Sequence, residues 1–478
     1  MNDAFELIEP YHTPPLDADF RPAVLSNRAF VSAVQESGHS TPLRISLERA
    51  DGSISTYDTV CYDEDSDKFA ANLFYAERLV KFLLWQRGGW KVTVGGPRAI
   101  GEYLKQVYSP NGERAFDYDF MGKQVYEHEF TVEVANAACV RDTKEDTQPL
   151  GRHLDGCRIG IDLGGSDYKL AAVQDGNCVW AEEFPWDPKT QTDWHYHYER
   201  IMKGLKEAAS HLPRVDAIGG SAAGVWINDR VLVASLFRGI PRDIFDAQVK
   251  DIFVKIGKEL GVPLTIVNDG EVTALAGSMD LGANAVLGIA MGTSEAAGYV
   301  TRDGNITGWL NELAFAPIDY APDAPFDEWS GDKGCGVQYF NQTGVVRLAE
   351  KAGIEFAEGL GLPEKLVRVQ ELMKQGDKRA VKVCETVGIW FGYALAHYAD
   401  FYEVEHCLIL GRATTGDGGQ IILENANKVL EGEFPELFGT IKLHLPDEAS
   451  RRTGQSVAAA SLPAIPKKGC GCGCSCAK

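Results

Sequence analysis

Three stretches of this chain set carboxylates and hydroxyls beside glycine turns, a pattern suited to phosphate chemistry. Residues 159–169 read Ile-Gly-Ile-Asp-Leu-Gly-Gly-Ser-Asp-Tyr-Lys. An apolar run delivers Asp162, the turn Gly164-Gly165-Ser166 follows, and Lys169 leads into a second apolar run, Leu170–Val173. The pattern predicts a β-hairpin with a glycine-rich tip. Glycines let backbone N–H groups approach a phosphate closely and supply positive φ without strain. A carboxylate beside the tip suits Mg2+, which prefers oxygen ligands and keeps most of its waters. Taken alone, the same residues would equally make an ordinary turn with a solvated Asp and Lys.

The second stretch, Leu264–Gly277, joins a β-branched strand ending at Asn268-Asp269 to a small-residue helix. Asp269 is expected at a strand C-terminus and a helix N-terminus, where α/β folds place ligands. The plainer reading makes Asn268 or Asp269 a helix cap. The third, Val286–Ser294, is an apolar strand running into Gly292-Thr293-Ser294. The three in this order are far more specific than any one.

From about residue 157 to 462 the chain resembles the ROK family (repressor, open reading frame, kinase) of the actin–hexokinase superfamily. Asp162–Lys169 resembles the family's first phosphate loop, and Gly292-Thr293 its second. The family's Asn-Asp pair, whose Asp is the catalytic base, falls on Asn268 and Asp269. Its Gly-Glu-(Ile/Leu)-Gly-His segment falls on Asn311-Glu312-Leu313-Ala314-Phe315, so Glu312 matches the sugar-binding glutamate. Cys407–Gly411, with Gly416, Gly418 and Gly419, sits where the family cradles adenosine. A strand and glycine segment, Val215–Gly224, matches one that helps to line the sugar pocket, and Arg238–Pro241 lies where relatives approach the sugar. The resemblance implies an α/β, actin-like ATPase (ribonuclease H-like) two-lobed fold with an extra N-terminal α/β region.

It also implies a mechanism. ATP would lie between two lobes. Gly164, Gly165, Ser166, Lys169, Gly292 and Thr293 would hold its phosphates, with Gly411, Gly418 and Gly419 at the adenosine. Asp162 would position Mg2+ through water. Gly224, Asn268 and Glu312 would bind a hexose or amino-hexose, and Asp269 would take the proton of the attacking hydroxyl.

The departures from the family pattern are specific. The second loop reads Gly292-Thr293-Ser294-Glu295-Ala296-Ala297-Gly298, so two alanines replace glycines and Glu295 brings negative charge towards a phosphate site. The family's structural zinc uses a histidine and several cysteines. Phe315 holds the histidine position and Cys335 alone survives of the cysteines. One thiolate cannot build a four-coordinate site, so no zinc of that type is expected.

Composition sets outer limits. Apolar residues make up 45% and charged residues 24% of 478, enough for two or three domains with a large core. A net charge of −21 disfavours nucleic acid as a partner. The absence of an 18-residue apolar run disfavours a membrane span. The acidic start, Met-Asn-Asp-Ala-Phe-Glu, lacks the features of a signal peptide, so a cytoplasmic protein is expected, with a homodimer as one possibility. Cysteines 61, 139, 157, 178, 335, 384 and 407 read as reduced core thiols. Cys470, Cys472, Cys474 and Cys476 lie in a Gly/Cys tail that suits soft-metal or thiol chemistry, or simply flexibility.

The expected domains are 1–155, an accessory α/β region; 156–463, the kinase-like part; and 464–478, the tail. Asp51-Gly52 predicts a hairpin. Residues 68–87 predict a helix, followed by a strand near Trp90–Val94 and a helix to Val107. This order echoes residues 387–430, where Gly418-Gly419 reads as the turn, so the first region is a candidate degenerate actin-like half. A polar linker is expected near Asp142–Asp155. Residues 195 and 197 are histidines spaced i and i+2, which point apart on a helix and suit packing better than metal. Trp309 suits either a sugar face or the core. Two other functions remain open: a non-catalytic sugar sensor, and an actin-like ATPase that activates a redox enzyme.

Overall fold

Gly52, at φ +81°, turns the chain between strands Ser40–Glu48 and Ile54–Tyr62, which pair antiparallel from Glu48↔Ile54 to Ser40↔Tyr62. This is the expected Asp-Gly hairpin. The computed structural model describes residues 4–145, 150–446 and 450–466. The tail thiols Cys470, Cys472, Cys474 and Cys476 lie outside the described residues.

Contacts group the chain into two units, Met1–Pro149 with Asp269–Arg451 and Leu150–Asn268 with Arg452–Lys478. Residues 4–145 thus group in one compact unit with residues 269–446. Two four-stranded sheets form in the first unit. One runs in the order Ile54–Tyr62, Ser40–Glu48, Lys91–Gly95, Thr131–Ala135. The other runs Glu295–Val300, Val286–Met291, His406–Leu410, Lys442–His444. Helix Ala71–Arg87 is buried along nearly its whole length, charged residues included. Its Lys81 pairs with Asp117 at 2.7 Å and its Arg78 with Asp332 at 3.0 Å, while Arg114 reaches Glu77 at 2.6 Å and Asp332 at 2.9 Å. Charges this deep persist only when paired. The network ties segments more than 200 residues apart.

The runs 68–107 and 387–430 both fold as helix, strand and helix. The turn of the second run differs from expectation. Gly418 and Gly419 lie in the first turn of helix Asp417–Glu433, and the chain reverses earlier, at Gly411 (φ +100°) and Gly416 (φ +70°). Gly419 is glycine because Thr414 O and Leu445 leave no room for a Cβ.

The second unit holds one mixed sheet, in the order Leu264–Asn268, Ala217–Ala222, Cys157–Leu163, Asp167–Gln174, Asn177–Pro185. Its first three strands are parallel and the last two antiparallel. Helix Trp194–Ser210 packs Ile201, Met202 and Leu205 against it. Helix Ser450–Ala460 lies flat on the sheet, where a Cβ on Gly160 or Gly219 would overlap Ser456 O or Ala459 O. Gly219 and Gly220 are thus residues of strand Ala217–Ala222 that admit close packing.

Five of the seven single cysteines are buried, but Cys139 and Cys178 are exposed. Cys178 lies on the edge strand Asn177–Pro185, most of whose residues face solvent. Among the described residues, no helix is long and apolar enough to cross a membrane.

Candidate active site

The first glycine loop closes the hairpin of Cys157–Leu163 and Asp167–Gln174, with Asp162 opposite Lys169 and Leu163 opposite Tyr168. Neither Gly164 nor Gly165 adopts a positive φ, so conformational freedom is not the reason for them. Space is the reason at Gly164, where a Cβ would sit 2.8 Å from Asp167 O; at Gly165 a Cβ would meet only the mobile end of Lys189, at 2.7 Å from Nζ. Trp186 holds the tip through its indole N–H to Gly164 O at 2.9 Å and its main-chain N–H to Ser166 O at 3.1 Å. A trans amide directs its N–H opposite its carbonyl, so the Gly165 N–H points away from Trp186. An outward N–H on an exposed tip beside the Lys189 ammonium is a fit for a phosphate oxygen. Lys189 and Trp186 carry no motif, and sequence reading passed over both.

Asp162 also pairs in register with Ser221 on the neighbouring parallel strand. Burial raises its carboxyl pKa, and Ser221 and Lys169 offset part of that rise. A nearby cation would favour the ionised form further.

At the far edge of the same sheet, Asn268 ends strand Leu264–Asn268. Its side-chain amide donates to Gly224 O at 2.7 Å. Gly224 adopts φ +115°, and Ala234 would crowd a Cβ there at 2.8 Å. Two residues assigned to the sugar therefore touch one another.

Asp269 opens helix Asp269–Leu281 in the first unit, accepting from the Gly270 N–H at 3.0 Å. Three glutamates of this unit have strongly altered acidity. Burial pushes Glu312 up to about 8, with the Asp269 charge as the second cause. Burial likewise pushes Glu271 up to about 8, and Glu295 up to about 8 with Glu312 next in weight. Glu295 is 3% exposed, packed where a Cβ on Gly336 would collide with it and with Tyr398 alongside. The expected negative charge near the second loop is therefore largely absent at neutral pH. Nothing in the sequence marks Glu271 or Glu295 as buried acids.

The second loop, Gly292–Ser294, closes hairpin Val286–Met291 and Glu295–Val300. Gly292 O accepts from the Gln342 N–H at 2.9 Å, at the start of helix Gln342–Lys351, and Thr293 is exposed. Gly411 lies against the backbone of Met291, which leaves no room for a Cβ. The residues assigned to the second phosphate loop and to adenosine thus adjoin in one unit.

Phe315 and Cys335, the positions that the resemblance links to zinc, lie together in an apolar cluster with Ala314 and Val337. Phe315 packs on Trp85 and Trp329, with ring centroids 4.8 and 4.5 Å apart. Among the described residues, no group of three or more His, Cys, Asp or Glu side chains is arranged to hold a metal ion. Trp309 is a packed aromatic: Arg87 lies over its ring at 4.6 Å and Tyr299 stacks at 5.9 Å. His195 is exposed beside Asp193, while His197 is buried against the Pro188 and Leu236 carbonyls, the divergence that their spacing implies.

No family model matches the chain, and no curated protein is similar to it in sequence. Solved structures are similar. A ROK-family transcriptional regulator, a homologue of the E. coli MLC protein, is 17% identical over 65% of this chain and 78% of its own, with a TM-score of 0.51. A ROK-family glucokinase from Streptomyces griseus, solved with glucose and AMPPNP, is 20% identical over 64% and 98%, with a TM-score of 0.47. A ROK hexokinase from Thermus thermophilus is 19% identical over 64% and 96%, with a TM-score of 0.49. The chain has the actin-like ATPase fold of ROK proteins.

Proposed function

We propose that this chain is a divergent ROK-family sugar kinase, transferring the γ-phosphoryl group of ATP to a hydroxyl of a hexose or amino-hexose. The observation that supports this best is the electrostatic coupling of Asp269 and Glu312. Asp269 is the second cause of the high Glu312 pKa, so the candidate base and the candidate sugar-binding carboxyl share one neighbourhood. One group holds a hydroxyl and the other takes its proton. Asn268, whose amide donates to Gly224 O, would face sugar hydroxyls. On the nucleotide side, the Gly164–Ser166 tip with Lys189 would hold phosphate oxygens in the second unit, and Gly292 with Thr293 is a phosphate-loop candidate of the first. Gly411, Gly418 and Gly419 would support the adenosine. Mg2+ would be held near Asp162 through water, where it neutralises phosphate charge.

Burial of Glu295, which pushes its carboxyl up to about 8, weakens the case against phosphate binding at this loop. ADP release measured across a panel of hexoses and N-acetyl-hexosamines tests the proposal. Release with at least one sugar, reduced by roughly 10²–10⁴ in Asp269→Asn, is the expected result. No release with any sugar would overturn it. Calorimetric titration then separates the rivals, since a sensor binds sugar alone and an ATPase activator binds nucleotide alone.

A further inference from the structure

Helix Ala71–Arg87 ends with four carbonyls that lack intrahelical partners, as every helix does. Their partners here are unusual. Leu84 O accepts from Gly88 N–H at 2.9 Å and Arg87 O from Arg49 at 3.5 Å. The two between them take consecutive N–H groups of the Glu312 segment: Trp85 O accepts from Glu312 at 2.9 Å and Gln86 O from Asn311 at 2.8 Å. The end of a helix in the first hundred residues is thus the main-chain support of Glu312.

Side chains lock this junction. Gln86 is fully buried, and its amide donates to Phe401 O at 3.1 Å. The next residue, Tyr402, donates its hydroxyl to Asn311 Oδ1 at 2.9 Å. Asn311 sits at φ +51°, left-handed backbone that asparagine tolerates better than most residues. On the flank, Arg87 covers Trp309, whose indole N–H donates to Glu145 at 2.5 Å. Arg87 and Glu145 again come from the first 145 residues, while Tyr299 and Tyr402 pack on the ring from elsewhere in the same unit.

We infer that Asn311, Tyr402 and Gln86 are positioning residues for Glu312, so that the N-terminal region sets the affinity of the sugar site. The inference rests on the kinase reading above and adds to it a reason for the first 145 residues. A sugar hydroxyl needs its acceptor held within a fraction of an ångström. Glu312 leads into the short turn Leu313–Phe315, and the junction supplies a fixed point on its other side.

The test measures hexose KM, ATP KM and kcat for Tyr402→Phe, Asn311→Gly, Asn311→Ala and the double variant Tyr402→Phe/Asn311→Gly. Hexose KM should rise about tenfold in Tyr402→Phe, the scale of one lost buried hydrogen bond, with ATP KM unchanged. Asn311→Ala should be worse than Asn311→Gly, because only glycine keeps the left-handed backbone. The double variant should match Asn311→Gly alone, since Asn311→Gly already removes the bond that Tyr402→Phe deletes, together with the Asn311 contacts to Glu271 and Thr307. Backbone amides of residues 311–316 should exchange with deuterium faster in Tyr402→Phe. Unchanged hexose KM in folded variants of an active enzyme overturns the positioning claim alone. A wild type that releases no ADP with any sugar overturns the kinase reading and this inference with it.

Discussion

The Asn268 amide donates to the Gly224 carbonyl across 44 residues of sequence, at 2.7 Å. The bond fixes which way the end of the strand presents its polar groups. Gly224→Ala would force a Cβ onto backbone at φ +115° and against Ala234. It should cost about 1–3 kcal/mol of stability in denaturant unfolding and raise hexose KM. Asn268→Ala should raise hexose KM with a smaller loss of stability. Equal hexose KM in both variants and wild type would remove this pair from the sugar site.

Asp269→Asn keeps the shape of the helix start and removes the base. Turnover should fall by roughly 10²–10⁴ while hexose binding by calorimetry stays within a few-fold. Loss of the Asp269 charge should also lower the pKa of Glu312, because that charge now raises it. Undiminished turnover would exclude Asp269 as the base.

Buried Glu271 and Glu295 keep their protons up to about 8 in the folded chain, against 4.5 for an unperturbed glutamate. Between these values the folded state binds more protons than the unfolded state. Their contribution to stability is therefore fully present below 4.5 and is lost as pH rises towards 8. Each group adds a slope of up to about 1.4 kcal/mol per pH unit. Chemical denaturation from pH 5 to 8 should show Glu295→Gln with a shallower decline than wild type. Parallel curves would mean that Glu295 titrates normally.

Gly160→Ala and Gly219→Ala place a methyl group against the backbone of the helix that ends at Ala460. Each should cost about 3 kcal/mol, the upper end of overpacking. Gly261→Ala, with nothing within 4 Å but φ +68°, separates crowding from backbone strain. Crowding as the cause requires the first two to lose clearly more in urea titrations than the third.

Local signals carried much of this. The hairpin at Asp51-Gly52, the strand–glycine–strand run around Gly164-Gly165 and the strand-to-helix junction at Asn268-Asp269 all lie within a dozen residues of chain. Periodicity and turn chemistry are local and so appear in a linear reading. The same logic misjudged Gly418-Gly419 as a turn, because a glycine demanded by a close approach looks identical in sequence to one demanded by φ. It could not find Lys189 beside Gly165 or the Trp85–Gln86 carbonyls beneath Asn311 and Glu312, since such contacts join segments without a shared pattern.

The order of residue types by itself determined the secondary elements around Asp162, Asp269 and Gly292, and the likeness to a phosphate-handling fold. Tertiary structure alone decided that residues 4–145 group in one unit with 269–446, that Glu271 and Glu295 are buried acids with raised pKa, and what holds Glu312. Strand and helix formation follow from neighbours in the chain, whereas burial, charge state and support depend on which distant segments exclude water from a group.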